Sequence, residues 1–222
     1  MKRSLAVMAA VVTVMGALPA YAQTSTPSTP AVNMVNVGIF GGASAVENVG
    51  GLVGAEGAWR LPGSGSFDLI VEGGWAQDAV TRRRSTSTKP LTDYLTARHG
   101  STATATVEAP TFFGLAGFRW VFERSGAIRP YLQATAGMAS VEYKTSFTLG
   151  STDITGSLAQ YGVTLGQDLR GREKKAAFGG GAGVLYVKDK WYVDAGVRVT
   201  SIQTSGQATT LTRGQVGFGL RF

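Results

Sequence analysis

Cysteine is absent from the 222-residue chain, which removes disulfides and thiolate-ligated metal sites from any account of its stability. Histidine occurs once, as His99, and no CxxC, HExxH or clustered acidic loop is present, so the sequence offers no metal centre and calls for no cofactor. No stretch of 18 apolar residues exists anywhere, which excludes a membrane protein built from helices. The glycine-rich stretch Gly179–Gly183 is not followed by the Lys-Ser/Thr of a phosphate loop and reads instead as close-packed strand backbone.

What is present begins with Lys2 and Arg3, the apolar run Leu5–Met15, the helix breakers Gly16 and Pro19, and Ala20-Tyr21-Ala22. This order of basic, apolar and small residues predicts a secretory signal peptide, residues 1–22, cleaved before Gln23. The apolar run is too short to remain as a membrane-spanning helix. No cysteine stands at the cleavage point, so the exported product is not a lipoprotein. Removing two bases lowers the formal charge from +7 to +5. Residues 23–33 are rich in Ser, Thr and Pro and read as a flexible lead-in to one domain, 34–222.

Eight segments of strand length follow: Met34–Val46, Gly51–Arg60, Phe67–Gln77, Glu108–Phe122, Ile128–Tyr143, Lys175–Val187, Trp191–Ile202 and Leu211–Phe222. The connections after the second, fourth and sixth are tight, whereas those after the third and fifth run to about 30 residues. An even number of strands with both ends on one side places every tight turn together. That is the arrangement of bacterial outer-membrane barrels, with short periplasmic turns and longer outward loops. The predicted fold class is therefore all-β: an eight-stranded antiparallel transmembrane up-and-down β-barrel.

The strands alternate with a period of two. Val216, Phe218, Leu220 and Phe222 oppose Arg213, Gln215, Gly217, Gly219 and Arg221; Trp191, Val193, Ala195, Val197 and Val199 oppose Tyr192, Asp194, Gly196, Arg198 and Thr200. Phe67 and Trp75, Phe112 and Trp120, and Phe178 and Tyr186 are each eight residues apart, so each pair shares a face. The spacing is about 26 Å along a strand, or about 20 Å along the membrane normal after tilt. Aromatic rings with a polar edge favour the two membrane interfaces, so these residues read as two girdles, with Trp59, Trp120, Trp191 and Phe222 level with the short turns.

The opposite parity faces the lumen and carries Glu56, Arg60, Asp68, Glu72, Arg119, Asp194, Arg198, Arg213 and Arg221. Charges withdrawn from water must pair, so one salt-bridged interior network is expected in a barrel just wide enough for side chains to fill it. Glycines at 179, 181, 183, 217 and 219 leave room that arginine need not occupy. In the fifth segment, Leu132, Ala134, Ala136 and Met138 suggest one outward parity and Val141 and Tyr143 the other, which a bulge near Ala139 would reconcile.

Two basic groups fall in the long loops: Arg82, Arg83, Arg84 and Lys89 in one, Arg170, Arg172, Lys174 and Lys175 in the other. Their geometry suits lipopolysaccharide phosphates, although a solvated charged loop has the same composition. His99, Ser101 and Glu108 could form a nucleophile, base and acid set. An exposed loop histidine is the plainer reading, and no catalytic residue is assigned.

The C-terminal Gln215–Phe222 with its terminal aromatic, Arg129-Pro130-Tyr131-Leu132 followed by Ala136-Gly137, and the glycine-rich strand, tight turn and alternating strand of Phe178–Val199 together resemble the small outer-membrane barrel family of opacity proteins and OmpA-like and OmpX-like domains. In that family such an ending is read by the outer-membrane assembly machinery. The resemblance implies an outer-membrane location in a Gram-negative bacterium. The partners it implies are membrane lipid, lipopolysaccharide and the assembly machinery, with no nucleic acid, for a monomer. A non-enzymatic structural or surface-interaction role is expected, resembling envelope-integrity or adhesion proteins. The alternatives are a narrow porin-like channel for small solutes and, more remotely, a lipid A-modifying enzyme. N-terminal sequencing of the protein recovered from the envelope is expected to begin at Gln23; a product that still begins at Met1 would contradict the export signal.

Overall fold

The computed structural model describes residues 35–46, 49–61, 66–77, 86–122, 124–164, 171–204 and 207–222. The predicted signal peptide and lead-in, together with Arg82, Arg83, Arg84 and Arg170, lie outside the described residues.

The described residues form ten strands: β1 (Val35–Ala45), β2 (Val49–Arg60), β3 (Phe67–Ala76), β4 (Ala103–Glu108), β5 (Thr111–Val121), β6 (Ile128–Leu149), β7 (Thr152–Asp153), β8 (Gly171–Lys188), β9 (Trp191–Thr204) and β10 (Gln207–Arg221). Eight of them close a ring in the order β6-β5-β3-β2-β1-β10-β9-β8, with β8 returning to β6, and every pairing is antiparallel. In hydrocarbon an unpaired strand edge has no water to satisfy it, and closure removes both edges. The seam between the first and last strands is completed at the final residue: the Phe222 N–H donates to the Val35 carbonyl at 2.8 Å, and the Val35 N–H donates back.

The registers fix the barrel's shape. Followed from Val35 through Trp59, Leu69, Phe118, Ala134, Gly180, Val199 and Thr212, the ladder returns to β1 at Ala45, ten residues from its start. Such a stagger over eight strands tilts them by roughly 40–45° and leaves an interior that side chains can fill. The turn between β8 and β9 is two residues, with Asp189 at φ 50, a conformation that a short acidic side chain tolerates.

Three sequence expectations change. First, β6 has no bulge: its registers with β5 and β8 run without interruption through Ala139. Val141 and Tyr143 are buried because they share the inward parity of Tyr131, Gln133 and Thr135. The assumption that apolar means outward fails there, because the long-loop half of the lumen is itself apolar. Second, Glu108 ends β4, and β5 starts after Ala109-Pro110. Third, the described parts of the long loops are structured. α1 (Lys89–His99) has Pro90 near its start and Gly100 in the left-handed conformation at its end. Leu95 of α1 packs with Ala103, Phe147, Ile154, Leu158 and Val163 in a small second core above the barrel. β4 pairs with the extension of β6, and the Ala103 N–H donates to Thr96 Oγ1 at 2.9 Å.

Lumen-side glycine also acquires a role. Phe40 stands directly across from Gly54, Phe113 from Gly74, Tyr131 from Gly183 and Tyr192 from Gly219. A Cβ at Gly74 would come within 2.7 Å of the Phe113 ring, and one at Gly183 within 2.6 Å of the Tyr131 ring. Each glycine lets the opposing ring lie flat along the wall, the aromatic rescue of a glycine in a curved sheet. Gly74→Val is therefore expected to lower the unfolding free energy by about 1–3 kcal/mol in urea titrations. Gly114→Val is the control: a Cβ there meets nothing within 4 Å, and the change is expected to stay within about 0.5 kcal/mol. Equal effects would contradict the packing role.

Candidate functional site

The lumen and the two rims are where charge concentrates. Alternate residues of β2, β3, β5, β9 and β10 point inward, and six of the nine predicted lumen charges meet at mid-height: Glu56, Glu72, Arg119, Asp194, Arg198 and Arg213, all buried. Arg119 Nη2 lies 2.6 Å from Glu56, and Arg198 Nη2 lies 2.7 Å from the same carboxylate. Arg198 also donates to Glu72, and through Nη2 to Asp194 at 3.2 Å. Arg213 donates to Glu72 at 2.8 Å and to the Thr200 hydroxyl at 3.0 Å. Tyr131 Oη donates to Asp194 at 2.8 Å, and Arg119 reaches Gln133 at 3.2 Å. Three cations thus face three carboxylates.

The aromatic rings laid flat by glycine cover this network. The Arg119 guanidinium lies 4.4 Å from the Tyr131 ring centre, Arg213 lies 4.4 Å from Phe113, and Arg198 lies 5.8 Å from Phe40. Toward the long loops, Phe40 and Phe113 continue into an apolar layer with Leu52, Leu115, Val141, Tyr143, Ile202 and Leu211. Toward the short turns, Tyr131 continues into Val121, Leu185, Val187 and Tyr192. A void between Phe40, Glu56, Tyr192 and Asp194 has room for about one water molecule. The centre of the lumen is thus a paired charge layer held between two apolar ones.

The remaining three predicted lumen charges, Arg60, Asp68 and Arg221, do not join this network. They sit at the short-turn mouth, where Asp68 is taken by Arg124 at 2.8 Å. Sequence reasoning missed Arg124, which lies in the β5–β6 turn. It also missed Tyr131 and Gln133, whose inward parity was the available signal, and it placed Thr200 on the lumen parity without assigning it to the network.

On the outer face, Trp75 pairs with Phe112 and, eight residues along, Phe67 pairs with Trp120. Phe67 and Trp120 stack at 6.0 Å, and Tyr186, Trp191 and Phe218 form a second aromatic contact at the short-turn level, with centroids 5.7 and 6.1 Å apart. Trp59 and Phe222 flank Val35 at that level, and Phe178 points outward near the long-loop end. Between these levels the exposed residues are apolar, including Ile39, Val71, Leu132, Val184, Val197 and Val216. This is a lipid-facing surface.

The predicted loop bases separate. Arg172 and Lys174 point outward on β8 above Phe178, Lys175 turns to the inward parity beside Glu173 at 3.7 Å, and Lys89 is exposed at the start of α1. Arg172 pairs with Glu142 at 2.7 Å, and Lys144 stands 3.5 Å from the same carboxylate. His99 packs edge-on to Tyr161 at 5.1 Å, while β4 separates Ser101 from Glu108 by about 20 Å, so the three do not meet. In the hairpin above the barrel, the Thr155 hydrogen bonds hold the exposed Asp153 carboxyl below its ordinary range.

Glu72→Gln would leave Arg198 and Arg213 short of a buried counter-charge. It is expected to cost about 3–5 kcal/mol in urea unfolding of the folded barrel, whereas removing the exposed pair by Glu142→Gln costs less than about 1 kcal/mol. Comparable costs would contradict the burial of the network.

No protein-family model matches the chain, and no curated protein does. Among solved structures the chain is similar to Neisserial surface protein A, with TM-score 0.51 and 13% identity over 85% of this chain and 96% of that one. It is also similar to the N-terminal β-barrel domain of Pseudomonas aeruginosa OprF, at TM-score 0.46 and 16% identity over 86% and 98%. Ail, the attachment invasion locus protein of Yersinia pestis, aligns at TM-score 0.45 and 9% identity over 85% and 97%. At such identities the likeness speaks for architecture alone: the chain has the fold of the small eight-stranded outer-membrane β-barrels.

Proposed function

We propose that the protein is a non-enzymatic barrel of a Gram-negative outer membrane with a structural or surface-contact role, its outward end touching lipopolysaccharide or external polymers. The observation that carries this reading is the closed lumen. A conduit needs a continuous hydrated path, and here a layer of paired charge lies between two apolar layers. With the interior occupied, the chemistry open to partners lies on the outer faces and the loop end.

Just above the aromatic residues Phe112 and Phe178, β6 and β8 present Lys144, Arg172 and Lys174 outward beside Glu142, with Glu108 of β4 directly across from Lys144. The side chains of Lys144 and Arg172 are 56% and 59% exposed, so the pairing with Glu142 leaves both open to a ligand. This is the height at which lipopolysaccharide phosphates meet a barrel wall, and a guanidinium fork beside two ammonium groups suits them.

Planar-bilayer recording of the purified protein is expected to show no steady discrete conductance; reproducible single-channel steps would overturn the closed-barrel reading in favour of a narrow channel. Changing Lys144, Arg172 and Lys174 together to Ser is expected to reduce co-purified lipopolysaccharide severalfold, and unchanged co-purification would remove the headgroup contact.

A further inference from the structure

The closing seam of the barrel, where β10 meets β1, holds buried polar side chains that the charge network does not use. Ser44 of β1 stands directly across from Arg213 of β10, and Gly42 directly across from Gln215. Ser44, Arg213 and Gln215 share the inward parity and are 1%, 1% and 4% exposed. Arg213 commits Nη2 to Glu72 and Thr200, whereas its Nη1 has no protein partner. Ser44 Oγ and both amide atoms of Gln215 are likewise buried without one. Exchanging the oxygen and nitrogen of the Gln215 amide changes nothing, because both lack a partner.

The packing explains why no side chain comes to Gln215 from directly across. Gly42 and Gly196 face it from the two neighbouring strands. A Cβ at Gly42 would come within 2.9 Å of the Gln215 Cα, and one at Gly196 within 2.7 Å of the Tyr131 hydroxyl. Both positions therefore exclude a side chain. One inward position toward the short turns, Phe40 and Gly217 border the void that has room for about one water molecule.

Buried polar groups in folded proteins are almost always met by protein or by ordered water, since an unmet one bears its full desolvation cost. The group that meets these must accept from Arg213 Nη1 and the Gln215 amide nitrogen, and donate to the Gln215 amide oxygen. A halide only accepts, and it would add a charge to a layer whose charges are already paired. Water does both and is neutral.

We propose that the seam is a resident-water site, in which ordered water held by Ser44, Gln215 and Arg213 Nη1 bridges β1 to β10 from inside. Ser44 and Gln215 are diagonal neighbours, roughly 7–8 Å apart at the backbone, a separation that water spans and a direct hydrogen bond does not. Leu211 in the apolar layer toward the long loops and Tyr192 in that toward the short turns keep the water in place.

The test combines urea unfolding of the folded barrel with water-selective NOE measurements in deuterated lipid nanodiscs. Gln215→Leu and Ser44→Ala are each expected to lower the urea midpoint. The double variant is expected to fall no further than the worse single one, because both changes remove the same bridge. The Gln215 amide protons are expected to show the negative NOE of a long-lived water, and that signal is lost in Ser44→Ala. A raised midpoint in Gln215→Leu, which is the outcome if its amide is simply unmet, overturns the proposal. So do additive losses, or amide protons without a water signal. Replacing chloride by gluconate is expected to leave the wild-type midpoint unchanged; a fall would assign the site to an anion and overturn the water reading. Heat-dependent gel mobility checks that each variant folds, and Ser44→Ala, the smaller change, keeps the NOE arm decisive if Gln215→Leu does not.

Discussion

A guanidinium group taken out of water must be met by carboxylates in good geometry, and the barrel's interior is organised around three that are. Arg119, Arg198 and Arg213 come from two different strand neighbourhoods, β5 and the β9–β10 pair, and Glu56 and Glu72 reach them from β2 and β3. Glu56 ties Arg119 to Arg198 and Glu72 ties Arg198 to Arg213, so the network crosses the lumen rather than running along one wall. Each arginine also lies over an aromatic ring, and each ring lies over a glycine on the neighbouring strand. The small residue makes room for the ring, the ring shields the cation, and the carboxylates join the three stacks.

This arrangement depends on closure and reinforces it. The ten-residue stagger places Phe40 beside Gly54 and Phe113 beside Gly74 at the depth where Arg198 and Arg213 point inward. A slip of one residue in any strand would send its charged parity to the lipid face and its apolar parity into the charge layer. Register, charge pairing and the outer apolar belt are therefore one constraint seen from different sides. Where the strands rise above the belt that constraint lapses. β6 continues to Leu149 and gathers β4, α1 and a 3-10 turn at Leu158–Tyr161 into a separate small core.

Most of the barrel wall was legible in the sequence, because a chain that faces lipid outside and charge inside writes its strands as strict alternation. Glu72, Arg119, Asp194, Arg198 and Arg213 could be assigned to the lumen from parity alone. Two things were not legible. Alternation fails where both faces are apolar, and Val141 and Tyr143 were misread for that reason: nothing in β6 alone says that Leu52, Phe113 and Leu211 wait across the lumen to bury them. Helix α1 was missed because its residues carry no clear apolar stripe; Pro90 at its start, and Arg98 and His99 before Gly100 at its end, were the local marks of its ends. Parity also cannot give depth, which is why Arg60, Asp68 and Arg221 were grouped with a network from which they are separate. The function is less legible still, since the wall encodes where the protein sits and the rims encode what it touches.

The central claim is that the mid-lumen arginines sit in a closed, paired layer rather than in a water-filled bore. Guanidinium proton exchange, followed by NMR of the barrel in lipid nanodiscs, reads this directly. Arg119, Arg198 and Arg213 are expected to give separate guanidinium signals whose exchange with water is slowed by orders of magnitude relative to Arg172. Exchange as fast as that of Arg172 would mean that water passes freely through the lumen and would contradict the account.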